Sequence, residues 1–571
     1  MKSTLVFRAR ILCAVFIVAA FVLILRLYFV QIVLGDSYAQ DAMGQYVQRA
    51  GDEVARGDIF FTDKDGESVA AAVTQSGWLL VVVPKDLKDP QIVYDALSPH
   101  VELDKERFFA SAAKGDDPWE EMAQRVSDEA AAEIRALKLP GVVLVQDKWR
   151  NYPAKQLAAQ TLGFVGYKGE VKTGVYGLEL AWQETLSHKR EGLYVNPFAE
   201  IFTNARAALS ANPAKQEGSI IISIEPTTQA QLEKTLDEVM SEYTPRVAGG
   251  IIMDPKTGEI AALALRPSFD PNAYNTVENP AVFTNALVEG RYELGSIMKP
   301  LTMAIGLDVG AVTPQTTYYD TGCFTRSGKK VCNHDKRARN TTPMQQVLSQ
   351  SLNLGATFVE ERAGSATFTK YMKSLGLEEK TEIDLPNEVT GDLSPLGEGV
   401  GPEVNFAAAS FGQGISVTPI AMTRALAALA NGGKLPNPHV VTHVKFSSGI
   451  TREVEEKERR QIFKPETTEA VTRMLVEVYD KALLDGKLKQ EHYSIAAKTG
   501  TAQLVDSNGG YYSDRYLHSF FGYFPAHDAR FIVFLFAVEP HGAEFASATL
   551  AHPFLDITKF LINYYSIPPD R

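Results

Sequence analysis

Apolar residues are arranged along this chain in three patterns, and each predicts a different element. The first is an unbroken run from Ile11 to Leu25 that resumes after Arg26 as Leu27–Leu34. It covers 24 residues, or roughly 36 Å of helix, enough to cross a hydrocarbon core of about 30 Å. The second pattern is short apolar runs bounded by turn residues: Trp78–Pro84, Ile220–Ile224, Phe520–Phe524 and Phe531–Val538. These predict strands. The stretch from Gly249 to Leu265 reads as a hairpin whose turn holds Asp254-Pro-Lys-Thr-Gly258. The third pattern has helical spacing. After Pro226, Leu232, Leu236, Val239 and Met240 fall on one face. Weaker helical patterns cover Trp119–Val126 and Ala130–Leu139, and a last helix is expected over Pro553–Tyr564.

These elements divide the chain. Residues 1–10 precede the apolar span at 11–34, and an irregular α/β region occupies 35–214. Asn204 to Gly218, rich in Ala, Asn, Ser and Lys around Pro213, reads as a linker. A second domain follows at 219–571. It has strands at both ends and helices between them, which predicts an α+β fold built on an antiparallel sheet flanked by helices. A chain of 571 residues is long enough for two or more domains.

Charge narrows the class. A net charge of −12 and a pI near 5.5 argue against a nucleic-acid partner. The one dense basic stretch, Arg326–Arg339, reads as a solvated loop. Lys2, Arg8 and Arg10 precede the apolar span, whereas Asp36 and Asp41 follow it. The positive-inside rule then puts the N-terminus in the cytoplasm and everything after about Gly35 outside. No small-X-small cleavage site ends the span, so an uncleaved signal anchor is expected rather than a removed leader. Cys13 lies within the span. Cys323 and Cys332 flank a segment turning at Ser327-Gly328, and an oxidising compartment permits a bridge that closes this hairpin. No histidine–cysteine cluster has metal-ligand spacing, so no metal and no cofactor are expected.

The candidate chemistry lies in three strings: Ser296-Ile-Met-Lys299, Ser351-Leu-Asn353 and Lys498-Thr499-Gly500. They supply a nucleophile, a base, a relay hydroxyl and a second cation, the set needed for acyl transfer through a serine ester without histidine. Each string also occurs elsewhere, so context must separate them. Ser111–Lys114 and Ser327–Lys330 repeat the first, and Ser210–Asn212 repeats the second. The third recurs at Lys172–Gly174 and Lys256–Gly258, both read as turns. Ser296 differs because it opens a buried helical run, and Pro300 confines it to the first turn of that helix. Lys299 then lies at i+3 on the same face. Ser351 falls at a corner between a helix at Thr342–Leu348 and one beginning near Leu354, and Lys498 falls on a strand. That strand is expected to pair beside Phe520–Phe524, with the Ser296 helix packed on the sheet edge.

With these strings in this order, the chain resembles the class B penicillin-binding proteins, the single-pass peptidoglycan D,D-transpeptidases. The likeness spans nearly the whole length. It includes Arg56-Gly-Asp-Ile59, Asp63-Lys-Asp-Gly66, Arg150-Asn-Tyr-Pro153, Leu162-Gly163, Gly177-Leu-Glu179 and Ser223-Ile-Glu225. Lys64 stands where the family usually has arginine, and Glu293-Leu-Gly295 replaces the commoner Glu-Pro-Gly. Phe411-Gly-Gln-Gly-Ile-Ser-Val-Thr-Pro419 is similar to the division (septal) subgroup.

The resemblance implies a β-lactamase-like catalytic domain preceded by a pedestal of the dimerisation type. It also implies a role for each residue. Ser296 attacks the penultimate D-Ala carbonyl of a stem peptide, Lys299 takes the proton, and Ser351 relays it to the leaving amine. Asn353 orients Lys299 and holds the substrate amide. Lys498, Thr499, Gly500 and Thr501 receive the terminal carboxylate, and the amides of Ser296 and Thr501 form an oxyanion hole. β-Lactams would acylate Ser296. Expected partners are a membrane glycosyltransferase and division-complex proteins. Three alternatives remain: a carboxypeptidase or β-lactamase, an elongation-type transpeptidase, or mainly a scaffold that activates the glycosyltransferase.

Overall fold

The computed structural model describes residues 56–115, 117–169, 171–187, 217–446, 448–455, 458–506 and 509–571. The N-terminal segment, the apolar span at 11–34 and linker residues 204–216 lie outside the described residues. Among the described residues no helix is long and apolar enough to cross a membrane. The chain forms two compact units. One is Thr74–Arg150; the other combines Arg56–Val73 with Asn151–Arg571. Segments 56–73 and 151–187 of the expected pedestal thus group with the catalytic region.

In the smaller unit, Trp78–Val82 pairs antiparallel with Glu120–Val126. Three helices accompany this pair: Pro90–Leu97, Lys105–Ala112 and Asp128–Ala136. Asp89, Asp104 and Ser127 cap them by accepting backbone N–H groups of the first turn. Leu80, Val82, Leu97, Phe108, Met122 and Ile134 form the core. The helix expected over Trp119–Val126 is a strand. Met122 and Val126 are four apart, so they share a face in either conformation, and the open edge of Trp78–Val82 decides between them.

The larger unit is organised by a five-stranded antiparallel sheet. Its strands are β1 (Val247–Met253), β2 (Ile260–Arg266), β3 (Ala496–Val505), β4 (Tyr511–Phe524) and β5 (Phe531–Val538). Their spatial order is β3-β4-β5-β1-β2, so β3 is an edge and β5 is central. Helices α1 (Pro226–Tyr243) and α6 (Ala546–Tyr564) cover one face through Leu232, Leu236, Leu550 and Phe554, packed with Phe520, Val533 and Leu535. The opposite face carries Phe521, Phe534 and Phe536 into the main core. Every residue of β5 is buried, which explains its unbroken apolar run: a strand covered on both faces has no polar alternation.

Between the sheet and the far helices lie α2 (Lys299–Asp308), α3 (Met344–Ser349), α4 (Asn353–Ala363) and α5 (Glu403–Ser410). All but one residue of α2 are buried, as an apolar helix within a core should be.

Sequence expectation and structure differ at two further elements. The terminal helix starts at Ala546, with Pro553 inside it. A proline there costs one hydrogen bond, and the burial of Leu550 and Phe554 on either side of it holds the helix together. Lys172-Thr-Gly174 is a strand paired with Val165–Lys168, not a turn. The turn at Lys256–Gly258 is present, and Asp254 Oδ1 accepts the N–H of Lys256 at 2.7 Å.

Three of the family-like motifs converge. The Arg56 guanidinium donates to Glu179 Oε2 at 2.5 Å and to the Glu179 carbonyl at 2.7 Å. Tyr152 Oη donates to Glu179 Oε1 at 3.1 Å. Ile59–Phe61 runs parallel to Ile220–Ile222, which pairs in turn with Val441–Phe446. The chain from Arg56 onward is therefore woven into the catalytic unit.

Candidate active site

Ser296 sits in a 3-10 turn, Gly295–Met298, that leads into α2. The turn rests on β3 where Gly500 removes the obstacle: a Cβ there would lie 2.3 Å from Ser519 Oγ and 2.6 Å from the Leu294 carbonyl oxygen. Gly412 seats the turn from the other side. Its φ is +82°, a Cβ on it would lie 2.1 Å from the Gly295 carbonyl oxygen, and its own carbonyl accepts the Gly295 N–H at 3.0 Å. Only glycine tolerates both conditions. The Gly-Gln-Gly stretch and the Lys-Thr-Gly string thus position the nucleophile by what they lack.

Four side chains then form one hydrogen-bonded row. Lys299 Nζ lies 2.9 Å from Ser296 Oγ, 3.1 Å from Ser351 Oγ and 2.6 Å from the Ser351 carbonyl oxygen. Lys498 Nζ donates to the same Ser351 Oγ at 3.1 Å and to the Thr499 carbonyl at 3.0 Å. Ser351 reaches between the two lysines from a corner between α3 and α4, with a left-handed φ of +54°. That conformation is costly for a residue with a side chain. Both lysines are almost inaccessible, Lys299 at 1% and Lys498 at 2%.

Burial sets the protonation. Desolvation, joined by repulsion from Lys498, holds the Lys299 amine well below the ordinary lysine range. Desolvation alone brings Lys498 from 10.5 down to about 7. A neutral Lys299 fits its three contacts: two N–H groups donate to the Ser351 oxygens, and the lone pair accepts the Ser296 hydroxyl proton. That makes it the general base next to the nucleophile.

Among the described residues no hydrogen bond joins Asn353 to Lys299, the first of its two expected roles. The Asn353 amide donates to the Cys332 carbonyl at 2.9 Å, and Lys299 is oriented by Ser351 instead. Asn353 opens α4 and remains in the wall of the cleft. Cys323 and Cys332 face each other across a hairpin and are bridged. The hairpin's turn at Ser327-Gly328 has positive φ at both residues, +45° and +75°, as a tight two-residue connection requires.

The cleft holding Ser296, Ser351, Asn353, Thr499 and Thr501 has a volume of about 790 Å³. Thr501 Oγ1 accepts the Ala546 N–H at 3.1 Å, tying β3 to the start of α6. A larger hollow of about 1030 Å³, beside Lys64, His443 and Arg530, contains none of these residues. Sequence reasoning missed part of the cleft. Lys329, Lys330 and Lys336, read as a solvated loop, belong to its wall, as do Tyr511, Glu544 and Phe545. The signal for the lysines was the cysteine pair, which folds the basic stretch back toward Asn353. Among the described residues no cluster of His, Cys, Asp and Glu could hold a metal ion.

Two family models match the chain: the penicillin binding protein transpeptidase domain over residues 248–558 and the penicillin-binding protein dimerisation domain over 52–196. The chain belongs to the penicillin-binding protein transpeptidase family. All of the serine and lysine row lies within the first match. Stage V sporulation protein D of Bacillus subtilis is 29% identical over 544 residues, covering 92% of this chain and 81% of that protein. A peptidoglycan D,D-transpeptidase FtsI homolog of Mesostigma viride is 30% identical over 485 residues, covering 78% of each. Among solved structures, penicillin binding protein 3 of Mycobacterium tuberculosis, complexed with aztreonam, superposes with a TM-score of 0.69 at 20% identity, covering 91% of this chain and 98% of that one. A dimerisation region followed by a transpeptidase domain is the arrangement expected of the class B penicillin-binding proteins.

Proposed function

We propose that this protein is a serine-type peptidoglycan D,D-transpeptidase of septal cell-wall synthesis, acylated by β-lactams at Ser296. The row Ser296–Lys299–Ser351–Lys498, closed at distances of 2.9–3.1 Å, carries this reading. Lys299 takes the Ser296 proton as Oγ attacks the penultimate D-Ala carbonyl. The C–N bond to the terminal D-Ala then breaks, the departing amine receives a proton through Ser351, and an ester remains on Ser296. An amine from a second stem peptide attacks this ester, forming the cross-linking amide and returning the proton to Ser296. Lys498, Thr499 and Thr501 line the place for the terminal carboxylate, and the charge on Lys498 increases when that anion arrives. The FtsI name of one relative and the Phe411–Pro419 stretch support the septal role.

The apolar span at 11–34 anchors the protein in the bacterial cytoplasmic membrane with its N-terminus inside, and the catalytic domain works outside. Its partners there are a membrane glycosyltransferase and other division-complex proteins. Ser296→Ala tests the reading: fluorescent penicillin labelling and cross-linking should both disappear in a folded protein. Labelling that survives the change overturns the assignment. A tagged copy should gather at midcell, and an even side-wall distribution would refute the septal role.

A further inference from the structure

We propose that Lys329, Lys330 and Lys336 form a second anion site in the catalytic cleft, which takes a free carboxylate on the body of a stem peptide, apart from its C-terminal one. The assignment rests on the transpeptidase reading above and specifies its substrate. The chain as a whole is acidic, with 69 Asp and Glu against 57 Lys and Arg. The cleft reverses this balance. Among the described residues that line it, Glu544 is the only carboxylate, facing three lysines and His334.

Two of the three arginines of the same basic stretch are already engaged, and the third, Arg337, is exposed and is not part of the cleft wall. Arg326 pairs with Glu361 at 2.5 Å, and Arg339 pairs with Asp335 at 2.7 Å. Lys329, Lys330 and Lys336 have no carboxylate within 4 Å among the described residues, and all three are exposed. Charges left unpaired in an acidic protein, on the wall of its own substrate cleft, are free for the substrate.

Their support is built in. The hairpin Cys323–Arg326/Lys329–Cys332 is closed by the disulfide at its base. That base is held to the start of α4 by Asn353 Nδ2 on the Cys332 carbonyl and by the Leu354 N–H on Asn333 Oδ1 at 3.2 Å. Asn333 is fixed in turn by donating to both oxygens of the buried Asp320, at 2.9 and 3.0 Å. Lys329 and Lys330 are therefore mounted on the same helix end that presents Asn353 to the cleft, and the Lys336 N–H donates to the carbonyl of the fixed Asn333 at 3.0 Å, which limits the entropy lost when they close on an anion.

The test uses two synthetic peptides ending in D-alanyl-D-alanine, identical except that an internal carboxylate in one is a carboxamide in the other. The quantity read is the ratio of their kcat/KM values for acylation, so any loss of folded enzyme cancels. Wild type should favour the carboxylate peptide by on the order of tenfold, mostly through KM, as expected for three exposed charge contacts. K329Q/K330Q/K336Q should bring the ratio to about one, and high salt should do the same to wild type. A second arm makes the same substitution in the acceptor peptide whose amine takes the acyl group. Discrimination in that arm alone assigns the carboxylate to the acceptor, and in the first arm alone to the donor. A wild-type ratio near one in both arms, or a ratio that survives the triple substitution, overturns the proposal. Failure of the transpeptidase reading looks different: wild type would react with neither peptide nor penicillin.

Discussion

Lys498→Met should make the protein more stable at neutral pH while impairing it as an enzyme, and the structure sets the size of the effect. Lys498 is 2% exposed, and burial lowers it from 10.5 to about 7. At about 1.4 kcal/mol per pH unit, the folded state forgoes about 4 kcal/mol at pH 7 relative to an unfolded chain whose lysine is fully charged. The sign follows from the depressed value: the stability is complete above pH 10.5 and is lost as pH falls toward 7. Methionine fills a similar volume and has no charge to desolvate. It also forfeits the hydrogen bonds to Ser351 Oγ and the Thr499 carbonyl, at about 1 kcal/mol each. The variant should therefore be about 2 kcal/mol more stable at pH 7 and about 1 kcal/mol less stable at pH 10, with the two curves crossing near pH 9. Urea unfolding of both proteins at intervals from pH 6 to pH 10 gives the difference directly. A difference that does not change with pH, or a variant weaker at pH 7, would refute the account of how burial tunes this amine.

Three other perturbations have definite outcomes. Gly500→Ala places a methyl 2.3 Å from Ser519 Oγ and 2.6 Å from the Leu294 carbonyl oxygen. Penicillin acylation should fall at least tenfold with far-UV circular dichroism unchanged, and a normal rate would show that the Ser296 turn is not seated there. Ser351→Ala removes the one group bonded to both lysines among the described residues, so acylation should drop by about 10²–10⁴, the usual worth of a positioned proton carrier. A drop below fivefold would mean that the proton takes another route. His518 is buried, with Nδ1 at 2.9 Å from Thr549 Oγ1 and Nε2 at 3.1 Å from the Glu544 carbonyl. Burial lowers it from 6.5 to about 4, so its contribution to stability is complete above pH 6.5 and is lost as pH falls toward 4, by about 3 kcal/mol. Comparing acid unfolding of wild type with His518→Gln isolates this contribution, and parallel curves would contradict it.

Much of the catalytic unit was legible because its signals are local. The run Phe531–Val538 announces a central strand, Pro300 fixes where the Ser296 helix can begin, and Lys498 follows from its place on a strand beside Phe520. Other features depended on the partner that each segment meets. Met122 and Val126 fit helix and strand equally, and only the facing strand decides. Asn353 carries the right side chain in the right string, yet the Cys332 carbonyl claims its amide, a contact between residues 21 apart. The basic stretch looked solvated because charge density alone does not say which way a loop folds. The disulfide and the Asn333–Asp320 contact turn it over the cleft.

The way the Ser296 turn is seated has a consequence for biogenesis. The reactive serine is held between Gly412 and Gly500, and its base is oriented through Ser351 and Lys498, all supplied by chain that is synthesised after it. Long-range closure of this kind comes late in folding. A partly synthesised polypeptide ending before β3 carries the serine but no assembled acylation centre, so it cannot be acylated prematurely. Antibiotic labelling of this protein therefore counts finished molecules only.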